Sequence, residues 1–159
     1  MEAKKEKTAE RKFKQLVKFL KITKCDTVWF IKQMQIEKAI LKEIRENPEV
    51  LTIQDENGMN LGMHCAKNGL EKVVLRCLED ETTCSQTDNQ GRNIGMHCAI
   101  NRLKKAMIKA MRNKYAYWHM DNHGYRIRDY ALEFLDLEEI KIIEEDIMYH
   151  WALNEISNN

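Results

Sequence analysis

The sequence predicts an all-α protein built from stacked helical repeats. The stretch QDENGMNLGMHCA, residues Gln54–Ala66, returns 33 residues later as TDNQGRNIGMHCA, residues Thr87–Ala99. A weaker third copy begins at Asp121, at the same interval. A fixed interval of about 20–50 residues is typical of supersecondary units stacked side by side. The chain of 159 residues has one proline and six glycines, which favours helices joined by short turns.

Residues 1–24 are predicted to form a basic amphipathic helix. Apolar residues recur there at the i, i+3, i+4, i+7 spacing of one helix face. They are Phe13, Leu16, Val17 and Leu20. The segment holds nine Lys or Arg residues and three Glu residues, whereas the whole chain has a net charge of +1. We expect this helix to cap the open end of the stack, and the alternative is a helix that binds a partner or an acidic surface.

Residues 25–50 are predicted to form a degenerate first repeat. Asp26 is a suitable N-cap for a short helix over Thr27–Gln33, and a second helix is predicted over Ile36–Glu46. The pair Asn47-Pro48 ends that helix, because proline disfavours a helical conformation at the residue before it. A helix pair without the turn motif is expected of a terminal repeat.

Residues 51–151 contain three units, each with a turn, a first helix and a return helix. In the first unit Asp55–Gly58 has turn chemistry, and Asn60 is positioned to cap the helix that follows. Leu51, Cys84 and Tyr117 stand one interval apart ahead of the turns, so we expect them to fill the seam between layers. The predicted bounds are Leu61–Lys67 and Leu70–Glu79, Ile94–Asn101 and Lys104–Arg112, Ile127–Phe134 and Leu137–Trp151, with a disordered tail at 152–159.

The repeat motif resembles that of the ankyrin-repeat family. The pattern D-x-x-G-x-N…A-x-N-G spans Asp55–Gly69, and D-x-x-G-x-N…A-x-N spans Asp88–Asn101. The resemblance covers about residues 26–148 and implies an ankyrin-like helical repeat solenoid of about three to four helix-turn-helix repeats. It also implies a partner protein docked on the turn tips and on the concave face of the first helices.

Carried over by position, the candidate partner-binding residues lie at or beside the three turn tips. The third tip is the richest in aromatic residues, which are common anchors of protein interfaces. For Trp118 the alternative is that it only packs the seam between layers. The candidate residues are Glu56, Asn57, Met59, Gln86, Asn89, Gln90, Arg92, Trp118, His119, Met120, Asn122, His123 and Tyr125.

The repeated pairs His64-Cys65 and His97-Cys98 raise the question of a zinc site or a thiol nucleophile. Equivalent residues in neighbouring layers lie about 8–10 Å apart, whereas zinc requires donors about 2.0–2.3 Å from one point. We therefore expect Cys65 and Cys98 to be core thiols, and we expect no metal or cofactor. No P-loop, dinucleotide fingerprint or catalytic triad is visible in the sequence, so neither an enzyme activity nor a catalytic residue is predicted.

The sequence thus predicts noncovalent recognition of another protein, without a small-molecule substrate. The alternative is an electrostatic adaptor in which Lys4–Lys24 binds nucleic acid or an acidic membrane surface. A narrower variant is an inhibitor or secreted effector, because the acidic stretch Glu138–Asp146 is similar to translocation signals of some bacterial type IV effectors; a solvated helix face explains the same residues. No apolar leader is visible, so the expected location is cytoplasmic, with secretion into a host cell as the alternative.

Overall fold

The computed structural model of this chain shows an all-α protein. It describes the backbone of residues 2–22 and 29–157 and the side chains of residues 7–20 and 32–156. Within these residues there are ten α-helices, one 3-10 helix (Pro48–Leu51) and no β-strand. No described helix is long and apolar enough to cross a membrane. The α-helices are α1 (Glu2–Ile22), α2 (Trp29–Glu46), α3 (Leu61–Lys67), α4 (Glu71–Cys77), α5 (Glu81–Ser85), α6 (Ile94–Ile100), α7 (Lys104–Met111), α8 (Lys114–Trp118), α9 (Ile127–Ala131) and α10 (Leu137–Ser157).

Three units recur at the 33-residue interval of the sequence. Unit 1 is the turn Asp55–Gly58 with α3 and α4, unit 2 is the turn Asp88–Gly91 with α6 and α7, and unit 3 is the turn Asp121–Gly124 with α9 and α10. A short helix precedes each turn: the 3-10 helix, α5 and α8. The repeated motif predicts the turns and the paired helices, but it does not predict α5 or α8.

The short helices α5 and α8 each depend on a single capping side chain. Asp80 Oδ1 accepts a hydrogen bond from Thr83 N at 2.8 Å, which starts α5. Asn113 caps α8 in the same way. These helices direct Cys84 and Tyr117 into the interior, where both are buried as predicted for residues of the seam.

The glycines of the repeated motif let neighbouring layers approach closely. α3 packs on α6, and α6 packs on α9. A Cβ atom on Gly62 would lie 2.3 Å from Ile94 Cδ1, and one on Gly95 would lie 2.4 Å from Ile127 Cδ1. Carbon atoms in van der Waals contact are about 3.5–4.0 Å apart, so a larger residue would require these isoleucine side chains to move. Each isoleucine therefore occupies the space that a missing side chain leaves.

Arg128 stands at this register in unit 3, one interval after Gly95. Its Nε lies 3.6 Å from Glu144 Oε1 of α10. The described chain supplies no further first helix after α9, so glycine is not required here. The arginine instead joins α9 to the last helix.

α1 packs on α3 and on the 3-10 helix at the amino-terminal end of the stack. The Phe13 ring meets the His64 ring edge to face, with 6.1 Å between centroids. Lys12 Nζ lies 2.6 Å from Glu43 Oε1, which ties α1 to α2. The inner face of α1 has four buried side chains, which are Ala9, Phe13, Val17 and Leu20. α1 thus lies where a capping helix was expected.

The predicted helix pair in residues 25–50 is wrong, because α2 is one continuous helix. Met34 and Gln35, which lie between the two predicted helices, are good helix formers, and no glycine or proline interrupts α2. A single long helix therefore forms without a break. The predicted start at Thr27 and its cap Asp26 lie outside the described residues.

The end of the chain also differs from the prediction. Residues 152–157 continue α10, so the disordered tail expected at 152–159 is wrong for that part. Lys114 forms an ion pair with Glu155, which ties the last turns of α10 to α8. α9 ends at Ala131, and residues 132–134 form a turn instead of the predicted helix. Asn158 and Asn159 lie outside the described residues.

Candidate functional site at the turn tips

One aspartate shapes each turn from the inside. In unit 2 Asp88 Oδ1 accepts backbone hydrogen bonds from Gln90 N and Arg92 N, both at 2.9 Å. Asp55 and Asp121 accept the equivalent pairs in units 1 and 3. Burial acts to raise the pKa of these carboxyl groups, but the hydrogen bonds outweigh it and hold each pKa below its usual value. The turns therefore share one scaffold and differ in the side chains at their tips.

The second carboxylate oxygen joins each turn to the helix after it. In unit 2 His97 Nε2 lies 3.0 Å from Asp88 Oδ2, and unit 1 has the same bond at His64. In unit 3 Tyr130 replaces the histidine and donates its hydroxyl hydrogen bond to Asp121. Burial lowers the pKa of His97 against the opposing effect of Asp88, which favours the neutral imidazole. The repeated histidines therefore serve the fold.

Cys65 and Cys98 are fully buried, which confirms the prediction of core thiols. Burial raises the pKa of both thiols, and it raises the pKa of Cys77 to about 12. A protonated and inaccessible thiol is a poor nucleophile and a poor metal ligand. In the part of the chain that the structure describes, no three His, Cys, Asp or Glu side chains are grouped to hold a metal ion. Cys25 lies outside that part.

Several predicted tip residues of the first two turns hold the turns together. Gln86 Nε2 donates to a backbone carbonyl ahead of the first turn at 2.6 Å. Asn89 Nδ2 donates to Glu56 O at 2.9 Å. Arg92 Nη2 lies 2.7 Å from Asp88 Oδ2 within its own turn. These three side chains are therefore part of the scaffold and have less capacity to contact a partner.

Met59 is a core residue, so its assignment to the partner-binding set is wrong. Only 8% of its surface is exposed, and it belongs to the hydrophobic core. Its backbone oxygen accepts from Asp55 N at 3.0 Å, so Met59 closes the turn and does not stand at its tip. Glu56, Asn57 and Gln90 are exposed, as predicted for tip residues.

The third turn presents a cluster of exposed apolar side chains. Trp118, Met120 and Tyr125 are exposed by 51%, 51% and 53%. His123 is exposed and stacks on Tyr125, with 6.5 Å between ring centroids. The Arg126 guanidinium lies over the Trp118 ring, 5.2 Å from its centroid. We call these five residues the third-turn patch.

His119 and Asn122, the other predicted residues of this region, fix the third turn to the second. His119 Nε2 lies 2.6 Å from Gly91 O. Asn122 Nδ2 donates to Asn89 O at 3.2 Å, and Asn122 N donates to Gln90 O at 3.0 Å. The third-turn patch therefore stands on a turn whose position relative to unit 2 is set by hydrogen bonds.

The apolar character of the third-turn patch is specific to unit 3. Trp118, Met120 and Tyr125 each have two counterparts, one and two intervals earlier in the chain. The counterparts are Thr52 and Ser85, Gln54 and Thr87, and Met59 and Arg92. All are polar except Met59, which is buried. An alignment of the units by their interval reveals this contrast in the sequence itself.

The candidate site is defined by its own geometry. No family model, curated protein or solved structure matches this chain. The contrast between the third-turn patch and the same positions of units 1 and 2 therefore decides where a partner is sought.

Arg126 is the member of the third-turn patch that the sequence analysis did not single out. It stands at the register of Asn60 and Asn93, whose side-chain oxygens cap α3 and α6. In unit 3 Asp129 Oδ2 instead accepts a hydrogen bond from Arg126 N at 2.7 Å. The arginine side chain is not used for capping and lies over Trp118. The signal that could have found it is the change from asparagine at this register.

The acidic stretch Glu138–Asp146 takes part in ion pairs within the chain. Glu139 lies 3.0 Å from Lys104, and Asp146 lies 3.1 Å from Arg112. Both basic residues belong to α7 or follow it directly. Part of the acidic surplus of α10 is therefore balanced by α7, which supports the interpretation of a solvated helix face.

Proposed function

We propose that this chain is an ankyrin-like repeat module that binds a partner protein noncovalently through its turn tips. The recurrence of turn, first helix and return helix at one interval supports the repeat assignment. In such a stack each layer contacts its neighbours, and the tips form one continuous surface. The proposed contacts are the third-turn patch, extended by the exposed residues Glu56, Asn57 and Gln90.

The exposed aromatic side chains of unit 3 carry this proposal. The fold does not require them, since units 1 and 2 form with polar or buried residues at the same positions. Trp, Tyr and Arg are the residues most enriched among energetically dominant contacts of protein interfaces. The third-turn patch combines all three on the two sides of one turn.

Hydrogen bonds between adjacent turns prepare the surface for binding. Asn89 N donates to Asn57 O at 2.9 Å, and Asn122 N donates to Gln90 O at 3.0 Å. A surface that is ordered before binding loses less conformational freedom when its partner arrives. The row of turns therefore favours recognition of a partner by a mostly rigid surface.

The double substitution His123→Ala with Tyr125→Ala tests the proposal. We expect it to remove the partner from a pull-down in the native cell extract, read by mass spectrometry, because it deletes the stacked aromatic pair. Truncation of a dominant contact costs about 2 kcal/mol or more, roughly a 30-fold loss of affinity. Helix content and Tm should stay close to those of the parent, since both side chains are exposed.

The matched control is Thr52→Ala with Ser85→Ala. These exposed residues stand two intervals and one interval before Trp118, ahead of turns of the same shape, and neither is a proposed contact. The control should capture the partner as the parent does. Equal capture by the parent and by the His123/Tyr125 variant would place the site elsewhere.

The outer face of α1 supports a second candidate function. Lys7, Arg11, Lys14 and Lys18 follow one another at four- and three-residue spacings, which places them on one side of the helix. All four are exposed, and none forms an ion pair with a described residue. This stripe is the basis for an adaptor that binds nucleic acid or an acidic membrane surface through Lys4–Lys24. Binding that weakens steeply between low and moderate salt would favour the adaptor.

An inhibitor or secreted-effector role is a narrower form of the first proposal. Removal of residues 136–159 would also remove the buried Ile140, Ile147 and Trp151. Truncation would therefore not separate the loss of the fold from the loss of an export signal. Glu138→Gln with Glu145→Gln changes exposed acids and keeps these contacts. A translocation reporter fused to this variant should lose signal if the acidic stretch is an export signal, and should keep it if the stretch is only a solvated helix face.

A further inference from the structure

The third-turn patch contains a positive charge that no described acid neutralises. The Arg126 guanidinium covers the Trp118 ring, and its Nη2 lies 4.0 Å from Met120 Sδ. No described carboxylate forms an ion pair with this guanidinium. A thioether sulfur is a weak acceptor, so the guanidinium N–H groups are available to a stronger one.

The neighbouring cations of the same region are paired. Arg92 Nη2 lies 2.7 Å from Asp88 Oδ2, and Arg128 Nε lies 3.6 Å from Glu144 Oε1. Lys114 forms an ion pair with an acid of α10. Arg126 therefore differs from the basic residues around it, both in lacking an acid among the described residues and in lying against exposed apolar side chains.

We propose that the third-turn patch recognises a peptide segment of another protein in which an Asp or Glu lies beside an aromatic or large aliphatic side chain. This inference rests on the proposed function and names the chemistry of its partner. One face of the Arg126 guanidinium lies against the Trp118 ring. Its N–H edge binds the carboxylate of the peptide through two parallel hydrogen bonds. Met120 and Tyr125, both about half exposed, supply the apolar contact for the neighbouring side chain.

Charge favours a peptide carboxylate over a nucleic acid at this surface. A nucleic-acid chain is held by several cations that each contact a phosphate. The third-turn patch holds one arginine among apolar side chains, which matches an isolated carboxylate. Exclusion of water by Trp118 and the bound apolar residue would strengthen the ion pair, because the effective dielectric constant falls.

Selection of random peptides displayed on phage against the intact chain tests this inference. The enriched peptides should carry Asp or Glu at a fixed spacing from an aromatic or large aliphatic residue. A selected peptide is then synthesised with a fluorophore and titrated by fluorescence polarisation. Arg126→Gln should weaken its binding about 10- to 100-fold, the range of a charge-assisted hydrogen bond. The same peptide with its acid changed to the amide should bind the parent and Arg126→Gln equally.

Arg128→Gln is the matched control, since it removes an arginine two residues away that is paired with Glu144. It should change the affinity by less than about threefold, as expected for a surface substitution outside the contact. Arg126→Lys keeps the charge but lacks the planar fork, so it should restore only part of the affinity. Far-UV circular dichroism and Tm of each variant establish that the fold is retained.

The outcomes separate this inference from the proposed function. Peptides that require Tyr125 but show no acidic preference would overturn the inference and leave the proposed function standing. Peptides that bind equally to parent and Tyr125→Ala would overturn both at this surface. Self-association of the chain that Tyr125→Ala abolishes would also overturn the inference, because the occupant would then be a second copy.

Discussion

At the scale of single residues, the aspartate of each turn is the common feature of the three units. It accepts two backbone hydrogen bonds and one from a side chain of the following helix. That side chain is His64 or His97 in units 1 and 2 and Tyr130 in unit 3. Burial and the Asp121 carboxylate raise the pKa of Tyr130 to about 12, so the unit 3 bond keeps its proton near neutral pH. The pKa of His97 lies below its ordinary value of 6.5, so the unit 2 bond does not have this independence of pH.

His97→Gln should make the stability of the protein less dependent on pH between 7 and 5. The pKa of His97 in the fold lies below 6.5, its ordinary value, so the unfolded chain binds the proton first as the pH falls. The parent therefore loses stability below pH 6.5, and the glutamine variant, which does not titrate, lacks this loss. Urea unfolding at pH 7, 6 and 5 measures the difference in free energy of unfolding.

Tyr130→Phe is the control for the pH experiment. It removes the equivalent hydrogen bond in unit 3 but no group that titrates near neutral pH. Its stability should fall by about 1 kcal/mol, the usual net value of one hydrogen bond, with the pH dependence of the parent retained. Asp88 does not enter this window, because its lowered pKa places its loss of stability below its ordinary value of 3.8. Parallel pH dependences in the parent and His97→Gln would contradict the prediction.

At the scale of elements, Trp151 is one of the residues that fasten α10 to the rest of the structure. Trp151 Nε1 donates to Arg112 O at 2.6 Å, and the indole meets the Tyr117 ring edge to face at 5.3 Å. Lys114 Nζ lies over the indole ring of Trp151. Residues 152–156, which follow Trp151 in α10, are exposed. One side chain thus joins the last helix to α8 and to the residue that follows α7.

Trp151→Ala should destabilise the protein by about 3–5 kcal/mol, as expected for a large buried aromatic side chain. Removal of residues 152–159 should cost much less than Trp151→Ala, because the ion pair between Lys114 and Glu155 is exposed to solvent. Trp151→Phe keeps an aromatic ring and loses one hydrogen bond, so its cost should lie between those of the other two variants. Urea unfolding of the three variants measures the order. A truncation as costly as Trp151→Ala would contradict it.

The sequence was informative about elements wherever a motif recurs. The interval placed the turns, α3, α6 and the start of α9, because glycine and asparagine at fixed positions impose the same local geometry each time. The interval did not predict α5, which depends on the single cap Asp80. It also did not predict that α2 is continuous, because no motif recurs in that segment. Helix ends were also predicted less well, since they depend on tertiary contacts such as that of Glu155 with Lys114.

The candidate site was predicted in part, for a related reason. Position in a turn identified Trp118, His123 and Tyr125 as surface residues, and they are exposed. Position did not reveal that Met59 points into the core, because the two ends of one turn differ in burial. The contact of Arg126 with Trp118 is also a tertiary property. Asp129 takes over the capping role here, and the sequence signal for that change is an arginine at the register of Asn60 and Asn93.

At the scale of the whole molecule, the two ends of the chain carry opposite charge but use it differently. The basic residues Lys7, Arg11 and Lys18 of α1 point to solvent without an acid partner among the described residues. Several acids of α10 are instead paired with basic residues at or beyond α7. An attraction between the ends is therefore not what holds the stack together. The layers are held by packing at the seams, where Gly62 and Gly95 receive isoleucines.

Insertion of a second copy of residues 61–93 after Asn93 should give a longer folded protein. The first Gly62 would receive the inserted Leu61, and the inserted Gly62 would receive Ile94 as in the parent. The urea m-value should rise, because it scales with the surface that unfolding exposes. The same insertion with arginine in place of the inserted Gly62 should not show this rise in the urea m-value. Equal m-values for the two insertions would show that the seam does not control layer addition.

The seam between Gly62 and Ile94 also has a consequence for how such a chain changes over generations. A glycine at this register leaves the space that the isoleucine of the following layer occupies, whereas a larger side chain would fill part of that space. A duplication of residues 61–93 would therefore lengthen the protein and keep a glycine at each seam. We expect a change of one of these glycine codons to arginine to oppose the addition of a further layer. The number of layers thus depends on single residues at the seams, while the exposed side chains of each turn can change without altering those seams.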